Sequence, residues 1–303
     1  MPGDVVRPVS AGGVALNRWI VGARPRTLPA AVVPVALGIG CAAGVGPISW
    51  WRAALSLAVS VALQIGVNYA NDYSDGVRGT DDDRVGPVRL VASGLAAPTA
   101  VKRAALGAFA VAAVCGLVLA ASTSWWLVAV GVASIAAAWG YTGGPRPYGY
   151  LGLGEVFVFV FFGLVATVGT TYVTVEAITG LSVVIGCAAG FMACALLVVN
   201  NLRDIPTDTE AGKRTLAVRL GDRTTRIMYV TMLVDVYLLI VVLAVTQRLP
   251  AVLGLVGAAF AVEPIRRVRA GAEGPELIPV LGATGKAQLA TGLLLALGLA
   301  IGG

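Results

Sequence analysis

Long apolar runs recur along this chain and restrict it to one kind of fold. Many of them extend for roughly 17 to 22 residues, the length that a helix needs to cross a lipid bilayer. In lipid, backbone N–H and C=O groups must be satisfied within the spanning structure, and a helix achieves this. We therefore predict an all-α, polytopic membrane protein. The predicted spans are 27–44, 53–71, 104–121, 125–141, 153–173, 179–200, 227–246, 249–262 and 287–301.

Composition supports a membrane protein and excludes several kinds of chemistry. Of the 303 residues, 57% are hydrophobic and only 13% are charged, a balance too apolar for a soluble globule of this size. The chain has no histidine, which excludes His-based acid–base catalysis and His-ligated zinc. Its four cysteines lie in apolar spans without a C-x-x-C pair, so no disulfide or thiolate metal site is indicated. We expect membrane lipid, and no nucleic acid, around the chain.

Basic residues are distributed unequally between the links that join the spans. With the N-terminus in the cytosol, only Arg52 and Arg248 of the 22 lysines and arginines lie on the other side. This is a strong positive-inside bias. The polar stretch to Arg26 lacks a small-residue cleavage site, so we expect no removed signal peptide. Only three of these residues are lysines, which is typical of GC-rich bacterial genomes, so we expect the protein in a bacterial cell (inner) membrane.

The two long cytosolic links follow the second and the sixth span, a separation of four helices. This spacing predicts a duplicated four-helix unit. We expect a single membrane-embedded domain over 1–303, composed of two pseudo-repeated halves at about 18–141 and 153–266 and a terminal helix at 287–301.

Each of these links begins with a cluster of amide and carboxylate side chains. In the first cluster, Asn68 and Asp72 are four residues apart, as are Asn71 and Asp75, so all four can lie on one broad helix face. Their oxygens are hard ligands, and Mg²⁺ binds substrate phosphates through one or two such carboxylates. The aspartate run 81–83 follows and could complete the site.

The second cluster has similar residue types in the same order. Asn200 and Asp204 are four residues apart, and Asp208 follows after four more. Pro206 lies between the two aspartates and predicts an interruption of the helix, because proline removes a donor and clashes with the preceding turn. We therefore expect Asp208 on a bend, with Lys213 in a flexible basic turn after it.

A solvated loop whose aspartates merely pair with arginines would explain either cluster alone. Carboxylates beside lipid are expensive, however, and their presence indicates a function. Two such clusters at cytosolic helix ends, four spans apart, favour a shared role. We predict that they face each other and hold a diphosphate bridged by two Mg²⁺ ions.

At these residues the chain resembles the UbiA superfamily of intramembrane prenyltransferases. The resemblance rests on Asn71-Asp72-Tyr-Ser-Asp75 after the second span and Asp204-Ile-Pro-Thr-Asp208 after the sixth. Within the superfamily the chain is most similar to members that prenylate 1,4-dihydroxy-2-naphthoate in menaquinone biosynthesis. This narrower resemblance is carried by 23–29, 86–94, 141–150 with 154–155, and 200–204 with 212–216.

The resemblance implies a bundle of about nine transmembrane helices around a central cavity that opens sideways to lipid. It implies Mg²⁺-dependent transfer of a polyprenyl group from polyprenyl diphosphate to the aromatic acceptor, with loss of CO₂ and diphosphate, to give demethylmenaquinol. One alternative is another aromatic acceptor such as 4-hydroxybenzoate. An alternative of another class is a membrane transporter or Mg²⁺ channel, although acids at one membrane face suit a one-sided catalytic site better than a transporter.

The candidate site residues divide by expected role. For catalysis they are Asp72, Asp75, Asp204, Asp208, Tyr141 and Glu155; for the metal, Asn68, Asp72, Asp75, Asn200, Asp204 and Asp208; for the diphosphate, Arg78, Arg146 and Lys213; and for the acceptor, Arg24, Arg26, Asn71 and Asn201. Superfamily members often have Tyr-x-x-x-Lys after the fourth span. Here Pro145 takes the lysine position, and Arg146 is the candidate for the missing charge.

Some of these residues also have structural interpretations. Arg24 and Arg26 can anchor the chain at the membrane surface, and Glu155 can stabilise a helix N-terminus. Asp235 lies deep in the seventh span, where we expect it protonated and hydrogen-bonded inside the bundle. The phenylalanines of 157–162 could line a channel for the prenyl chain, but we expect them to face lipid.

Overall fold

The structure is a computed structural model that describes residues 17–80 and 88–303. The aspartate run 81–83 therefore lies outside the described residues, and its predicted contribution to the site stays a prediction.

Every regular element in the described ranges is helical. A π-helical segment, Phe159–Val165, joins α6 to α7, and a 3₁₀ segment, Leu249–Gly257, leads into α10. The helices are α1 (Arg18–Ala23), α2 (Pro29–Ala42), α3 (Trp50–Arg78), α4 (Pro98–Ser122), α5 (Trp126–Gly140), α6 (Gly154–Val158), α7 (Ala166–Val175), α8 (Gly180–Glu210), α9 (Leu216–Thr246), α10 (Ala258–Arg269) and α11 (Leu277–Ile301).

The lengths and composition of these helices suit a membrane. In the described ranges, seven helical segments are long and apolar enough to cross a membrane, and an eighth forms if Arg18–Thr27 and Pro29–Ala42, bent by 52°, count as one span. The remaining predicted span corresponds to α5, an apolar helix of 15 residues. Each predicted span overlaps a helix, so the prediction of an all-α polytopic membrane protein is confirmed.

The prediction that Pro206 interrupts the helix between Asp204 and Asp208 was wrong, because α8 continues through Pro206 to Glu210. Other hydrogen bonds hold the same turns. The Thr207 hydroxyl donates to the carbonyl of Asp204 at 3.2 Å, and the N–H of Lys213 donates to the carbonyl of Asp208 at 2.8 Å. Asp208 therefore lies on the last turns of a continuous helix.

A close contact between helices fixes the wall beside α8. A Cβ on Gly163, in the π-helical segment, would lie 2.5 Å from the Cα of Gly190 in α8. Only glycine permits such an approach of two backbones, as at other membrane helix interfaces with small residues. The α6–α7 span is thereby held directly against α8.

Two apolar clusters support the ends of α3 and α8. One joins α8, α9 and α11 and includes Val198, Tyr229 and Leu277. The other joins α3 and α4 to the link between them and includes Leu90 and Phe109. A central cavity lies between these two clusters. It is lined by residues between Arg24 and Thr215 and by Leu281 of α11.

Candidate active site

A cavity of about 340 Å³ lies within the helix bundle. Most of its wall is apolar, and its polar end lies where α3 and α8 finish. Amide and carboxylate side chains from both predicted clusters line this polar end: Asn68, Asn71 and Asp75 from α3, and Asn200, Asn201, Asp204 and Asp208 from α8.

Lys213 lies between the two clusters. Its Nζ is 3.6 Å from Asp75 Oδ2 and 3.8 Å from Asp208 Oδ1, and its side chain is buried. One ammonium group therefore contacts a carboxylate from each half of the chain, and it lines the same cavity.

Tyr150 makes a second link between the clusters. Its hydroxyl donates to Asp75 Oδ1 at 2.6 Å, and the Lys213 Nζ lies 4.8 Å from the centre of its ring. Its carbonyl accepts from the N–H of Arg214 at 3.0 Å. Burial, followed by the Asp75 carboxylate, raises the pKa of Tyr150 above its ordinary value, so the hydroxyl stays a donor at neutral pH.

Asp204 is compensated by its neighbour in the sequence. The buried Arg203 donates from Nε to Oδ1 at 2.7 Å and from Nη2 to Oδ2 at 2.8 Å, a bidentate pair. The same Nη2 donates to Asn200 Oδ1 at 2.9 Å. Arg203 thus orients two predicted metal ligands on one face of α8.

Asp72 is placed differently from the other predicted ligands. It is fully buried and does not line the cavity. Its two carboxylate oxygens accept from the backbone N–H groups of Leu90 and Val91, at 2.9 and 3.0 Å. The structure therefore does not bring Asp72 together with Asp75, Asp204 and Asp208.

The two amides of α3 are held by residues from distant parts of the chain. The side chain of Asn68 donates to the carbonyl of Ala23 at 2.8 Å. The side-chain oxygen of Asn71 accepts from the Thr142 hydroxyl at 2.7 Å. Both amides are buried at the cavity wall, which fixes the direction of their remaining polar atoms.

Glu155 lies behind the cavity wall. Its Oε1 accepts from the side chain of Asn201 at 3.0 Å, while its Oε2 has no hydrogen bond to any described residue. Glu155 is buried and does not line the cavity, whereas Asn201 does. The carboxyl group therefore orients Asn201.

The two arginines predicted to bind the acceptor differ in position. Arg24 lines the cavity, and its Nη2 donates to the carbonyl of Asn68 at 3.3 Å. Arg26 is exposed and does not line the cavity. Only Arg24 is brought to the site.

Neither arginine predicted to bind the diphosphate lines the cavity. Arg78 donates to the carbonyl oxygens of Thr142 and Gly144 and so holds the turn after α5. Arg146 is exposed, because the chain turns outward after Gly144, which has a φ of 79°. Of the three cations predicted to bind the diphosphate, Lys213 is therefore the one that lines the cavity.

Aromatic side chains line the wall beside the polar end. The rings of Tyr141 and Tyr148 lie 5.5 Å apart and nearly perpendicular, and Tyr148 stacks on Phe157 at 3.9 Å. The expectation that the phenylalanines face lipid was wrong for Phe157, Phe161 and Phe162, which line the cavity. They continue the stack that Tyr148 begins, and Phe161 lies 6.1 Å from Phe157.

Arg89, Tyr150 and Gln64 line the cavity and were not among the predicted site residues. Arg89 and Tyr150 lie in stretches that carry the family resemblance, and that resemblance was the signal for them. Gln64 donates to Asn68 Oδ1 at 3.2 Å, and its position one helical turn before Asn68 was the signal.

Asp235 does not have the environment that the sequence predicts. Its side chain is half-buried in α9 and makes no hydrogen bond to a described residue, so the expected side-chain bond inside the bundle was wrong. Its neighbours Val234 and Leu238 are exposed, which places this part of α9 at the edge of the bundle.

Sequence comparison identifies relatives of the chain. A model of the UbiA prenyltransferase family matches residues 31–275. The chain is 54% identical to the 1,4-dihydroxy-2-naphthoate octaprenyltransferase of Mycobacterium tuberculosis, over 94% of this chain and 97% of that protein. It is 36% identical to the protein of the same name in Escherichia coli, over 93% of this chain and 94% of that protein.

Structure comparison identifies proteins with the same fold. A UbiA homolog from Aeropyrum pernix superposes with a TM-score of 0.66 at 15% identity, covering 95% of this chain and 99% of that one. A UbiA homolog from Archaeoglobus fulgidus, bound to GPP and Mg²⁺, superposes with a TM-score of 0.61 at 16% identity, covering 92% and 99%.

Proposed function

The chain belongs to the UbiA prenyltransferase family, and we propose that it transfers a polyprenyl group from polyprenyl diphosphate to 1,4-dihydroxy-2-naphthoate with release of diphosphate and CO₂. The protein is a prenyltransferase, as the sequence predicts. The observation that carries the proposal is one cavity in which carboxylates from two halves of the chain meet a long apolar wall. A charged head group and an apolar tail fit such a cavity together.

The donors at the polar end fit Mg²⁺ that arrives with a diphosphate. No group of three or more Asp, Glu, Cys or His side chains that could hold a metal occurs in the described ranges. Mg²⁺ usually keeps several waters and binds through one or two carboxylates plus substrate phosphates. The cavity offers Asp75 from α3 and Asp204 and Asp208 from α8, with Asn71 and Asn200 as neutral oxygen donors. When bound, Mg²⁺ supplies Lewis-acid stabilisation of the negative charge on the leaving diphosphate.

Lys213 is the residue that we assign to the diphosphate itself. Its Nζ lies beyond 3.5 Å from both Asp75 and Asp208, so neither contact is a short hydrogen bond. The ammonium group can therefore donate to a phosphate oxygen without leaving its position between the two clusters.

The apolar part of the cavity suits the polyprenyl chain. Three glycines on different helices line this part, and a Cβ at any of them would meet no atom within 4 Å: Gly116, Gly131 and Gly169. Branched residues such as Leu119 and Val173 complete the wall. Apolar walls also keep water away from an allylic cation.

The reaction then needs few proton transfers. The allylic C–O bond breaks, and its electron pair leaves with the diphosphate. The stacked side chains of Tyr148 and Phe157 line the cavity, and aromatic rings favour the positive charge on the allylic carbon. The acceptor ring attacks that carbon through the position that bears its carboxylate. Loss of CO₂ returns an electron pair to the ring and restores aromaticity, so no base is needed there.

Arg24 is the residue that we assign to the acceptor carboxylate. It is half-buried at the cavity wall, and its one hydrogen bond to a backbone carbonyl leaves further donors on the guanidinium. Arginine pairs bidentately with carboxylates. Asn71 and Asn201 lie on the same polar end and can hydrogen-bond to the ring hydroxyls.

The protein is a multi-pass membrane protein. We infer that its N-terminus and the polar end of the cavity face the cytosol of a bacterial cell. This orientation is supported by the excess of basic residues on that side, with only Arg52 and Arg248 opposite.

The test is a reaction with purified protein, Mg²⁺, a labelled polyprenyl diphosphate and a panel of acceptors. We expect prenylated product from 1,4-dihydroxy-2-naphthoate and, when the carboxyl carbon of this acceptor is labelled instead, release of labelled CO₂. Product from 4-hydroxybenzoate alone would reassign the acceptor. Absence of product with every acceptor, together with Mg²⁺ flux in proteoliposomes, would favour a channel or transporter instead.

A further inference from the structure

The carboxylate of Asp72 is engaged with the chain itself. Each of its oxygens accepts a backbone N–H from the link between α3 and α4, from Leu90 and Val91. These two N–H groups come from consecutive residues, so the carboxylate holds the link in one orientation on the side of α3.

A second feature holds the same link against the same helix. One turn after Asp72, a Cβ on Gly76 would lie 2.5 Å from a methyl carbon of Val91. Leu90 is fully buried, and a Cβ on Gly22 in α1 would lie 2.6 Å from it. The link is thus packed tightly between α1 and α3 where Asp72 binds it.

The residue that this packing presents to the cavity is Arg89. It directly precedes Leu90, is 9% exposed and lines the cavity wall. Its carbonyl accepts from the N–H of Ser93 at 3.0 Å, and the carbonyl of Leu90 accepts from the N–H of Ala96 at 3.0 Å. The segment around Arg89 is therefore a closed turn, and the direction of its side chain depends on how the turn sits on α3.

We propose that Asp72 is a positioning residue, which holds this turn so that the Arg89 guanidinium contacts the anionic part of the substrate. Asp72 then differs in role from Asp75, which faces the cavity and the metal. The proposal rests on the proposed function for the identity of the anion, a diphosphate. The hydrogen bonds from the turn to Asp72, and the position of Arg89 in that turn, do not depend on the proposed function.

The first test compares Asp72→Asn, Arg89→Gln and Asp75→Asn. In Asp72→Asn an NH2 group replaces one of the two oxygens and faces a backbone N–H, so the pair of hydrogen bonds to Leu90 and Val91 cannot form in the same geometry. Binding of Mn²⁺ is measured by electron paramagnetic resonance at saturating inorganic diphosphate, without turnover. We expect wild-type Mn²⁺ affinity in Asp72→Asn and Arg89→Gln and a loss of roughly tenfold or more in Asp75→Asn, which removes a ligand charge.

The kinetic test uses the same variants with polyprenyl diphosphate. We expect KM to rise roughly tenfold or more in Arg89→Gln and Asp72→Asn, because a charge-assisted contact to the diphosphate is lost. The double variant should be no worse than Arg89→Gln, since Asp72 acts through Arg89. Multiplied losses, or Mn²⁺ affinity reduced in Asp72→Asn as in Asp75→Asn, would overturn the proposal.

Gly76→Ala moves the turn without touching any carboxylate. We expect KM to rise as in Asp72→Asn, with Mn²⁺ affinity unchanged. Because alanine favours a helix more than glycine does, this loss must come from the displaced turn. The matched control is Gly107→Ala in α4, which is exposed and meets no atom within 4 Å. A Gly76→Ala enzyme with wild-type KM and a wild-type thermal midpoint would contradict the proposal. If wild-type protein makes no prenylated product, the proposed function fails, while inorganic diphosphate binding to Arg89→Gln still tests the contact.

Discussion

The two acidic clusters resemble each other in sequence and differ in what their carboxylates do. At the end of α8, both Asp204 and Asp208 line the cavity. At the end of α3, Asp75 lines it while Asp72 binds backbone N–H groups. Helical spacing alone does not decide which residues line the cavity, because Asn68 lies four residues before Asp72 and does line it.

The comparison also extends to the cations. The second cluster supplies its own, since Arg203 pairs with Asp204 and Lys213 follows the helix. The cation beside the first cluster comes from the other half of the chain, because Lys213 contacts Asp75. The two clusters are therefore complementary: α3 contributes Asp75, and α8 with the turn after it contributes Asp208 and the Lys213 cation that contacts both carboxylates.

Removal of the divalent metal should have the largest effect and act on both clusters. Excess EDTA should lower turnover by roughly 1000-fold or more, since Lewis-acid stabilisation supplies several kcal/mol. The measurement is product formation before and after EDTA, with restoration by added Mg²⁺ as the control. Full turnover in EDTA would break the comparison, because neither cluster would then be a metal site.

Lys213→Met should have the next largest effect, because it removes the cation shared by the clusters. A hydrogen bond to a charged group contributes about 1.5–3 kcal/mol, so kcat/KM should fall roughly 10- to 100-fold. Lys286→Met is the matched control, since Lys286 is exposed on α11. Equal, small losses in both variants would show that Lys213 does not bind the diphosphate.

A substitution in the apolar part of the cavity should have a smaller effect and extends the comparison of the two halves to the wall that we assign to the polyprenyl chain. There the first half supplies Gly116 and Gly131, while the second half supplies the phenylalanines beside Tyr148. Gly131→Leu should fill open space and reduce kcat/KM for a long polyprenyl diphosphate about tenfold relative to geranyl diphosphate. Gly107→Leu, on the lipid-exposed side of α4, should leave this ratio unchanged. An unchanged ratio in Gly131→Leu would exclude this wall from tail binding.

The sequence was sufficient for the features that depend on local pattern. Apolar runs of spanning length predicted the helices because lipid leaves the backbone no alternative. The clustered amides and aspartates could be found because helical spacing brings residues three and four apart together. The division of the chain into two pseudo-repeated halves stays a prediction.

Features that depend on distant parts of the chain could not be predicted. The partners of Asp72 lie 18 and 19 residues later, in a link whose path only packing decides. Tyr150 reaches Asp75 across 75 residues for the same reason. Proline is a strong local signal against a helix, yet α8 continues through Pro206 to Glu210.

The central claim is that the two clusters act on one diphosphate, and a double-mutant cycle between Asp75→Asn and Asp208→Asn tests it most directly. Both residues line the cavity and contact the same ammonium group. Each single variant, shown to be folded by its thermal midpoint, should lose most of its kcat/KM. The kcat/KM of the double variant should then be little lower than that of the less active single variant, because losses within one catalytic unit are not additive. Losses that multiply would contradict the account and indicate two separate sites.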